Sequence, residues 1–226
     1  MHRRHLEAAE GRDAVRIWSF FLLFTVACFN VNAVPIDVAE GASVTLNGTY
    51  GVLRTGSAFS PGPLASGASL TDGIPLPEST YWNDGTVWWD TMEDTGSSAN
   101  NSIVVDLGAT YTIFGFSFQA DDNESFLLEY WNSSAWVTAW NIPTSPTGGG
   151  MQTRPNNLDP SEIYVLGSDI MTNQLRLTVD VSSDGYVGVG EIRAFAQDPA
   201  SVPEPTTLAL MGLGLAGIGW KRRKAA

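Results

Sequence analysis

The chain has 226 residues, a formal net charge of −12 and 43% hydrophobic residues, so an acidic balance accompanies enough apolar sequence for a folded core. Histidine occurs only at positions 2 and 5, cysteine only at 28 and lysine only at 221 and 224, which leaves residues 34–201 without any of the three. This excludes histidine-activated nucleophiles, ordinary zinc sites, Schiff bases and disulfides from that region, and its twenty acidic residues against four arginines disfavour nucleic acid as a partner.

Residues 1–33 have the order of a secretory signal peptide. Four arginines precede an apolar run at residues 17–29, and Val31 and Ala33 occupy the −3 and −1 positions of a signal-peptidase site. The pattern predicts a signal with an extended basic segment, cleaved after Ala33 by signal peptidase. We expect Cys28 to be removed with it, and residues 34–201 to form one domain.

Strand patterns occur throughout residues 34–201. Residues 103–107 are β-branched and end at Gly108, and residues 114–118 alternate phenylalanine with small or polar residues, which predicts one buried face. The clearest period of two lies at residues 175–181, and residues 190–195 make a plausible last strand. No helix of normal length is predicted.

A hairpin is predicted where residues 125–131 and 136–140 flank a polar turn. We expect its tryptophans, Trp131 and Trp136, to lie in the core. Residues 142–160 are rich in proline, glycine and asparagine and predict a long loop. Many short strands separated by turns indicate an all-β fold, a β-sandwich.

An aromatic cluster between the predicted strands is the candidate ligand site. Indole faces stack on sugar rings while carboxylates accept hydroxyl hydrogens, so this composition favours a glycan. Adjacent strand residues face opposite ways, so we expect one tryptophan of the pair at 88 and 89 to be exposed. The alternative, which we favour for Trp82, is a core role. The candidate residues are Tyr81, Trp82, Asp84, Trp88 and Trp89.

Residues 202–226 form a tail of three parts. An apolar run at residues 206–220 gives roughly 22 Å of helix, short of the ~30 Å hydrocarbon core, so we expect transient insertion in the inner membrane. The basic residues after it are expected to stay cytoplasmic, which places the preceding domain outside. The flanking motifs are Val202, Pro203, Glu204 and Pro205 before the run and Lys221, Arg222, Arg223 and Lys224 after it.

This tail resembles the PEP-CTERM sorting signal of Gram-negative bacteria that produce exopolysaccharide. The resemblance implies recognition and removal of the tail by an exosortase, a membrane transpeptidase. It also implies delivery to the cell surface or the extracellular matrix.

The order of motifs in residues 46–196 resembles a discoidin-like, galactose-binding-like jelly roll, as in the coagulation-factor C-type domains. The motifs are Leu70-Thr71-Asp72-Gly73, Ser79-Thr80-Tyr81-Trp82, Ile103-Val104-Val105-Asp106-Leu107-Gly108, Glu129-Tyr130-Trp131, Leu175-Arg176-Leu177 and Gly190-Glu191-Ile192. The intervening residues 74–78 depart from the usual spacing.

The resemblance implies a structural calcium ion, with Asp72, Thr80 and Glu191 as part of its ligand shell. The alternative makes Asp72 a turn former, Thr80 a strand residue and Glu191 an ion-pair partner of Arg176 or Arg193.

The function expected from these features is non-enzymatic binding of exopolysaccharide or another glycan by an exported surface or matrix protein. A glycoside hydrolase that uses only aspartate and glutamate is one alternative. A purely structural component of a biofilm or sheath is another. Release of reducing sugar would favour the hydrolase, and absence of glycan binding would favour the structural component.

Overall fold

The computed structural model describes residues 34–145 and 149–197, which form nine β-strands and two short 3-10 helices, Gly67–Thr71 and Ser97–Asn100. The strands are β1 (Pro35–Asp37), β2 (Ser43–Asn47), β3 (Val87–Asp90), β4 (Ser102–Asp121), β5 (Ser125–Trp131), β6 (Trp136–Ile142), β7 (Met151–Arg154), β8 (Tyr164–Val181) and β9 (Tyr186–Gln197). Within these residues no helix is long and apolar enough to cross a membrane. The predicted all-β fold class is confirmed.

Strands β4 and β8 are long enough to take part in both layers of the fold. The first part of β4 pairs with β2 and with the last part of β8, whereas its last part pairs with β7 and β9. Their register shifts between Asp106 and Tyr111, where Gly108 has a φ of 75° and its N–H donates to Asp106 Oδ1 at 2.9 Å. A bulge of this kind bends a strand. β4 therefore passes from one layer of an antiparallel β-sandwich to the other.

The core lies between a layer containing β2, β4, β8, β5 and β6 and a layer centred on β9, which pairs with β1, β3 and the last part of β4. Alternating side chains fill it. In β8, Leu175 and Leu177 are buried while Arg176 points outward, as the period of two predicts, and Val181 at the end of the strand is exposed. Removal of these apolar surfaces from water is the main stabilising contribution to the sandwich.

The last part of β4 is buried on both faces, so the prediction of a single buried face was wrong. Phe116 and Phe118 enter the core, yet Ser117 and Gln119 on the opposite face are also buried. The reason is a loop that covers this face. Gln119 Oε1 accepts the N–H of Leu76 at 2.8 Å, and Gln119 Nε2 donates to the Leu76 carbonyl at 2.8 Å.

The predicted hairpin is confirmed as β5 and β6, which pair through the register Trp131 opposite Trp136. The predicted long loop at residues 142–160 is interrupted by β7, because Met151–Arg154 pairs with the end of β4. The short strands β1, β2 and β3 were not predicted. The signal at residues 1–33 and the sorting tail at 202–226 lie outside the described residues.

Candidate functional site

The two neighbouring tryptophans of β3 are both buried, so the prediction that one of them is exposed was wrong. Trp88 is 1% exposed and Trp89 is 2% exposed. Trp89 belongs to the main core, whereas Trp88 lies in a second apolar cluster with Trp82 and Tyr186. Strand β3 thus has a hydrophobic cluster on each face. The three indoles offer no free ring face to a sugar in this structure.

A cover loop, residues 48–66, encloses the outer face of β3. Its apolar side chains Leu53 and Phe59 pack against the second cluster. Arg54 anchors the loop through an ion pair between Nη2 and Asp90 Oδ1 at 2.6 Å, with the Asp90 side chain fully buried. The Arg54 guanidinium also lies 4.3 Å above the Tyr186 ring. Sequence pattern alone did not indicate that this loop would cover a strand.

Two members of the predicted ligand cluster remain accessible. Tyr81 is 50% exposed and Asp84 is exposed. The Tyr81 ring packs against Phe59 and Trp82 with centroid distances of 6.1 Å in each case. These contacts hold the phenol at the rim of the second cluster, where one side of it meets solvent.

The loop that carries Asp72 contacts Glu191, another of the three predicted metal ligands. The N–H of Gly73, next to Asp72, donates to Glu191 Oε1 at 3.1 Å. Burial raises the pKa of Glu191 to about 8; the Gly73 hydrogen bond opposes this rise and the charge of Asp72 adds to it. Glu191 Oε2 is buried and has no hydrogen-bond partner among the described residues. A buried carboxylate oxygen without a donor fits the requirement of a cation for oxygen ligands.

Thr80, the third predicted ligand, is tied to other groups. Its hydroxyl donates to the Pro77 carbonyl at 2.7 Å, and its own carbonyl accepts the Met151 N–H at 2.7 Å. An acidic residue that the sequence analysis missed, Glu40, lies beside Gly73, with its carboxyl carbon 3.3 Å from the position a β-carbon would take there. No sequence signal links Glu40 to Glu191 across such a separation.

Glu191 does not make the ion pair that the alternative interpretation proposed. Arg176 pairs with Glu129 at 2.6 Å and Arg193 pairs with Asp37 at 2.8 Å. Among residues 34–145 and 149–197, no group of three or more histidine, cysteine, aspartate or glutamate side chains is arranged to hold a metal ion. Any cation at Asp72 and Glu191 would therefore take further oxygens from the main chain or from water.

Trp131 and Trp136, expected in the core, lie instead at the end of the β5–β6 hairpin. Both are half-buried and neither belongs to the two apolar clusters of the described residues. They face each other across the hairpin with ring centroids 5.4 Å apart at 61°. The two rings pack against each other and lie outside both apolar clusters, which leaves them partly exposed.

A charged pair lies beside these indoles on the outer face of the layer. The Arg176 guanidinium lies 4.7 Å above the Trp136 ring, and its Nη2 contacts Glu129 Oε2 at 2.6 Å. Glu129 is opposite both Arg176 and Thr138 in the strand register. We call Trp131, Trp136, Arg176 and Glu129 the hairpin platform. It combines aromatic surface with fixed hydrogen-bond donors and acceptors, the combination that recognises a ring carrying both C–H patches and hydroxyls.

The end of the chain matches a known sorting signal. Residues 201–224 match the family model of the PEP-CTERM protein-sorting motif. The chain carries this motif, which indicates an exported protein that is sorted at the membrane. No curated protein matches the chain.

Several solved structures are similar to the folded region. One is the family 32 carbohydrate-binding module of C. perfringens NanJ in complex with galactose, with 12% identity over 72% of this chain and 99% of that chain and a TM-score of 0.45. Another is the family 32 module of Streptococcus pneumoniae EndoD, with 13% identity over 72% and 100% and a TM-score of 0.44. A fucolectin from Morone saxatilis serum has 11% identity over 72% and 49% and a TM-score of 0.46. No residue role follows from similarity at this level.

Proposed function

We propose that this protein is exported from a Gram-negative bacterium, processed by an exosortase and held at the cell surface or in the extracellular matrix. There it binds exopolysaccharide or another glycan without changing it chemically. The proposed glycan binding is based on the hairpin platform, and the proposed destination is based on the sorting motif.

The hairpin platform suits a polysaccharide because two half-buried indoles lie beside an ion pair, in which Glu129 is 9% exposed. Each pyranose offers an apolar C–H patch for an indole and hydroxyls for a charged partner. The contacts of Arg176 with Trp136 and Glu129 fix these side chains before a ligand arrives. Little side-chain freedom is then lost on binding, which favours affinity.

Tyr81 and Asp84 form a second proposed glycan contact. Tyr81 presents a half-exposed ring, and Asp84 lies three residues further along the same loop with its N–H donating to the Tyr81 carbonyl at 3.0 Å. A single accessible ring holds a sugar less firmly than a pair of tryptophans does, because less apolar surface is removed from water. We assign the larger share of binding to the hairpin platform.

One buried pair of carboxyl groups is unsuited to glycoside hydrolysis. Two catalytic carboxyl groups must flank a glycosidic bond about 5 to 9.5 Å apart and be reached by substrate. The buried carboxyl groups of Asp121 and Glu124 lie at hydrogen-bonding distance of each other and are almost fully enclosed. A sugar has no room between them.

A binding panel tests the glycan proposal. Purified protein is passed over immobilised polysaccharides, including the exopolysaccharide of the producing cells, and reducing ends are assayed in parallel. We expect retention on at least one polysaccharide and no release of reducing ends. Folded protein that is retained by none would contradict glycan binding and favour the structural sheath, and release of reducing ends would favour the hydrolase.

The proposed destination depends on the sorting motif. Replacement of Pro203 and Glu204 by alanine removes two residues of the sorting motif, so we expect the protein to stay in the membrane fraction instead of reaching the surface. Cell fractionation and antibody labelling of intact cells measure the outcome. Unchanged surface labelling of the variant would refute exosortase-dependent delivery.

We also propose that Asp72 and Glu191 hold a structural calcium ion. The partnerless Glu191 Oε2 and the nearby Asp72 supply two oxygen ligands, and main-chain carbonyls or water complete the shell. Bound calcium would supply the positive charge that the buried Glu191 carboxylate lacks. It would tie the loop at residues 72–73 to strand β9, with no part in any chemical reaction.

A further inference from the structure

Two carboxyl groups meet inside one end of the sandwich, away from the hairpin platform. Glu124 is fully buried and Asp121 is 4% exposed. They border the tight connection between β4 and β5, and their carboxyl groups lie at hydrogen-bonding distance of each other. We call these two residues the carboxyl pair.

The hydrogen bonds around the carboxyl pair leave one oxygen without a donor. Glu124 Oε1 accepts the Ser182 hydroxyl at 3.1 Å, whereas Glu124 Oε2 has no partner among the described residues. Asp121 Oδ1 accepts the N–H of Asp122 at 3.1 Å. Two ionised carboxylates in contact would repel each other and would have no hydrogen between them. A single proton on either group removes the repulsion and supplies a hydrogen bond, because the protonated carboxyl donates to the other.

The nearest cation does not make a direct ion pair with the carboxyl pair. Arg154 is 2% exposed, and within the described residues all its recorded hydrogen bonds go to main-chain carbonyls. Those carbonyls belong to Ala120, Asp121, Asp122, Glu124, Pro143 and Gln152. One guanidinium balances one negative charge, so the pair is neutralised only when it keeps one proton.

The remaining charged neighbours also favour one proton on the carboxyl pair. Burial is the main cause that raises the pKa values of Asp121 and Glu124, and the negative charges of Asp122 and Asp184 add to it. Burial lowers the pKa of Arg154 to about 10, against the attraction of Asp121, Glu124, Asp122 and Glu78. The charged groups that face the carboxyl pair from the neighbouring loops are therefore acidic, apart from Arg154.

A divalent cation is the competing occupant, and the geometry disfavours it. Calcium takes six to eight oxygens, and main-chain carbonyls usually supply several. At this end of the sandwich the carbonyls of Asp121, Asp122 and Glu124 already accept hydrogen bonds from Arg154. A metal ion there would also lie close to a buried guanidinium. A shared proton satisfies Glu124 Oε2 without further ligands.

We propose that Asp121 and Glu124 share one proton and act as a latch that joins three loops at acidic and neutral pH and releases them when the medium becomes alkaline. Arg154 of β7 donates to main-chain carbonyls of the β4–β5 connection, and Ser182 of the β8–β9 loop donates to Glu124. The carboxyl pair therefore lies where these three segments meet. The β8–β9 loop in turn reaches the cover loop, because Arg54 Nη2 donates to the Asp184 carbonyl at 2.9 Å.

The direction of the pH effect follows from proton linkage. The folded state holds the shared proton at pH values where a free carboxyl group has lost it, so the folded state binds more protons than the unfolded state. The stabilising contribution of the carboxyl pair is then complete below the ordinary carboxyl pKa near 4 and falls as the pH rises into the alkaline range. This is opposite to the behaviour of a salt-bridged carboxylate.

Thermal unfolding of the full-length protein, Glu124→Gln and Glu162→Gln tests the proposal. Glutamine copies the protonated form of Glu124 without its titration, whereas Glu162 is an exposed carboxylate and serves as the matched control. We expect the wild type and Glu162→Gln to lose roughly 5 °C or more in melting temperature between about pH 5 and about pH 9. Glu124→Gln should lose less, because only the loss from the raised pKa of Glu191 remains, and should exceed the wild type at the higher pH.

Infrared difference spectra supply a second readout. Because burial also raises the pKa of Glu191, the spectra compare the wild type with Glu124→Gln at neutral pH, and the protonated-carboxyl band should be weaker in the variant. Equal bands in the two proteins, or parallel loss of stability in Glu124→Gln and the wild type, would overturn the shared proton. Stabilisation of the wild type by calcium at the higher pH that is lost in Glu124→Gln would assign the site to a cation instead.

Discussion

Trp88 and Trp89 are adjacent in the chain, yet their side chains stabilise two different clusters on opposite faces of β3. Alternation along the strand was correctly expected, but exposure of one face did not follow from it. The indole N–H groups of Trp82 and Trp88 are buried without a partner among the described residues. Such groups destabilise a fold, so their burial reflects the large apolar surface that these side chains remove from water.

The first prediction concerns stabilisation of the fold by calcium through Glu191. If calcium binds beside Asp72, saturation at about 100 times the Kd stabilises the fold by about 2.7 kcal/mol, which raises the melting temperature by roughly 5 to 10 °C. Glu191→Gln should lose this rise, because the amide is a neutral and weaker ligand. Asp169→Asn, at an exposed position, should keep it. A calcium titration monitored by calorimetry decides the point, and an unchanged wild-type melting temperature would remove the proposed metal.

At the scale of elements, the sequence predicted the parts of the fold that have strong local patterns. The hairpin of β5 and β6, the alternation in β8 and the last strand each have a period or turn that identifies them. Strand β3 has four residues, all buried, and a run of that length has no readable period. The covering of β3 depends on contacts between Arg54 and Asp90, which lie far apart in sequence. Such long-range contacts leave no local pattern.

The candidate site was predicted less well for the same reason. Motif order pointed to Asp72 and Glu191, and the Gly73 N–H next to Asp72 contacts Glu191, but Thr80 is held by Pro77 and Met151 instead. Aromatic composition identified the right residue types for a glycan site. Whether a given tryptophan lies in the core or at the surface depends on which loops cover it, and composition does not determine that.

The cover loop gives the prediction that belongs to this scale. Asp90→Asn should weaken the anchor of Arg54 and lower the free energy of unfolding by about 2 to 4 kcal/mol, because a buried ion pair loses one charge. Proteases should then cleave residues 48–66 faster than in the wild type. Asp94→Asn is the control, since Asp94 accepts from Thr55 in the same loop but is exposed. Equal cleavage of the two variants would show that the ion pair does not hold the loop.

For the whole molecule, charge, fold and sorting motif all favour an exported protein that binds a ligand. Residues 34–201 carry twenty acidic residues and four arginines, and three of those arginines form ion pairs within the described residues. Such a surface repels anionic polymers such as nucleic acid and leaves neutral glycans and divalent cations as suitable ligands. The sandwich has rigid surfaces for holding a ligand, and the sorting motif indicates export.

Glycan affinity of the platform variants tests the central claim most directly. Trp136→Ala removes one indole at a cost of about 1 kcal/mol in cross-strand packing, so the fold should persist. We predict at least about tenfold weaker binding, equivalent to ~1.4 kcal/mol, to the polysaccharide that retains the wild type. Tyr81→Ala, which truncates an aromatic side chain at the other rim, should weaken binding by less than about threefold. Equal affinity of Trp136→Ala and the wild type would contradict glycan recognition by the hairpin platform.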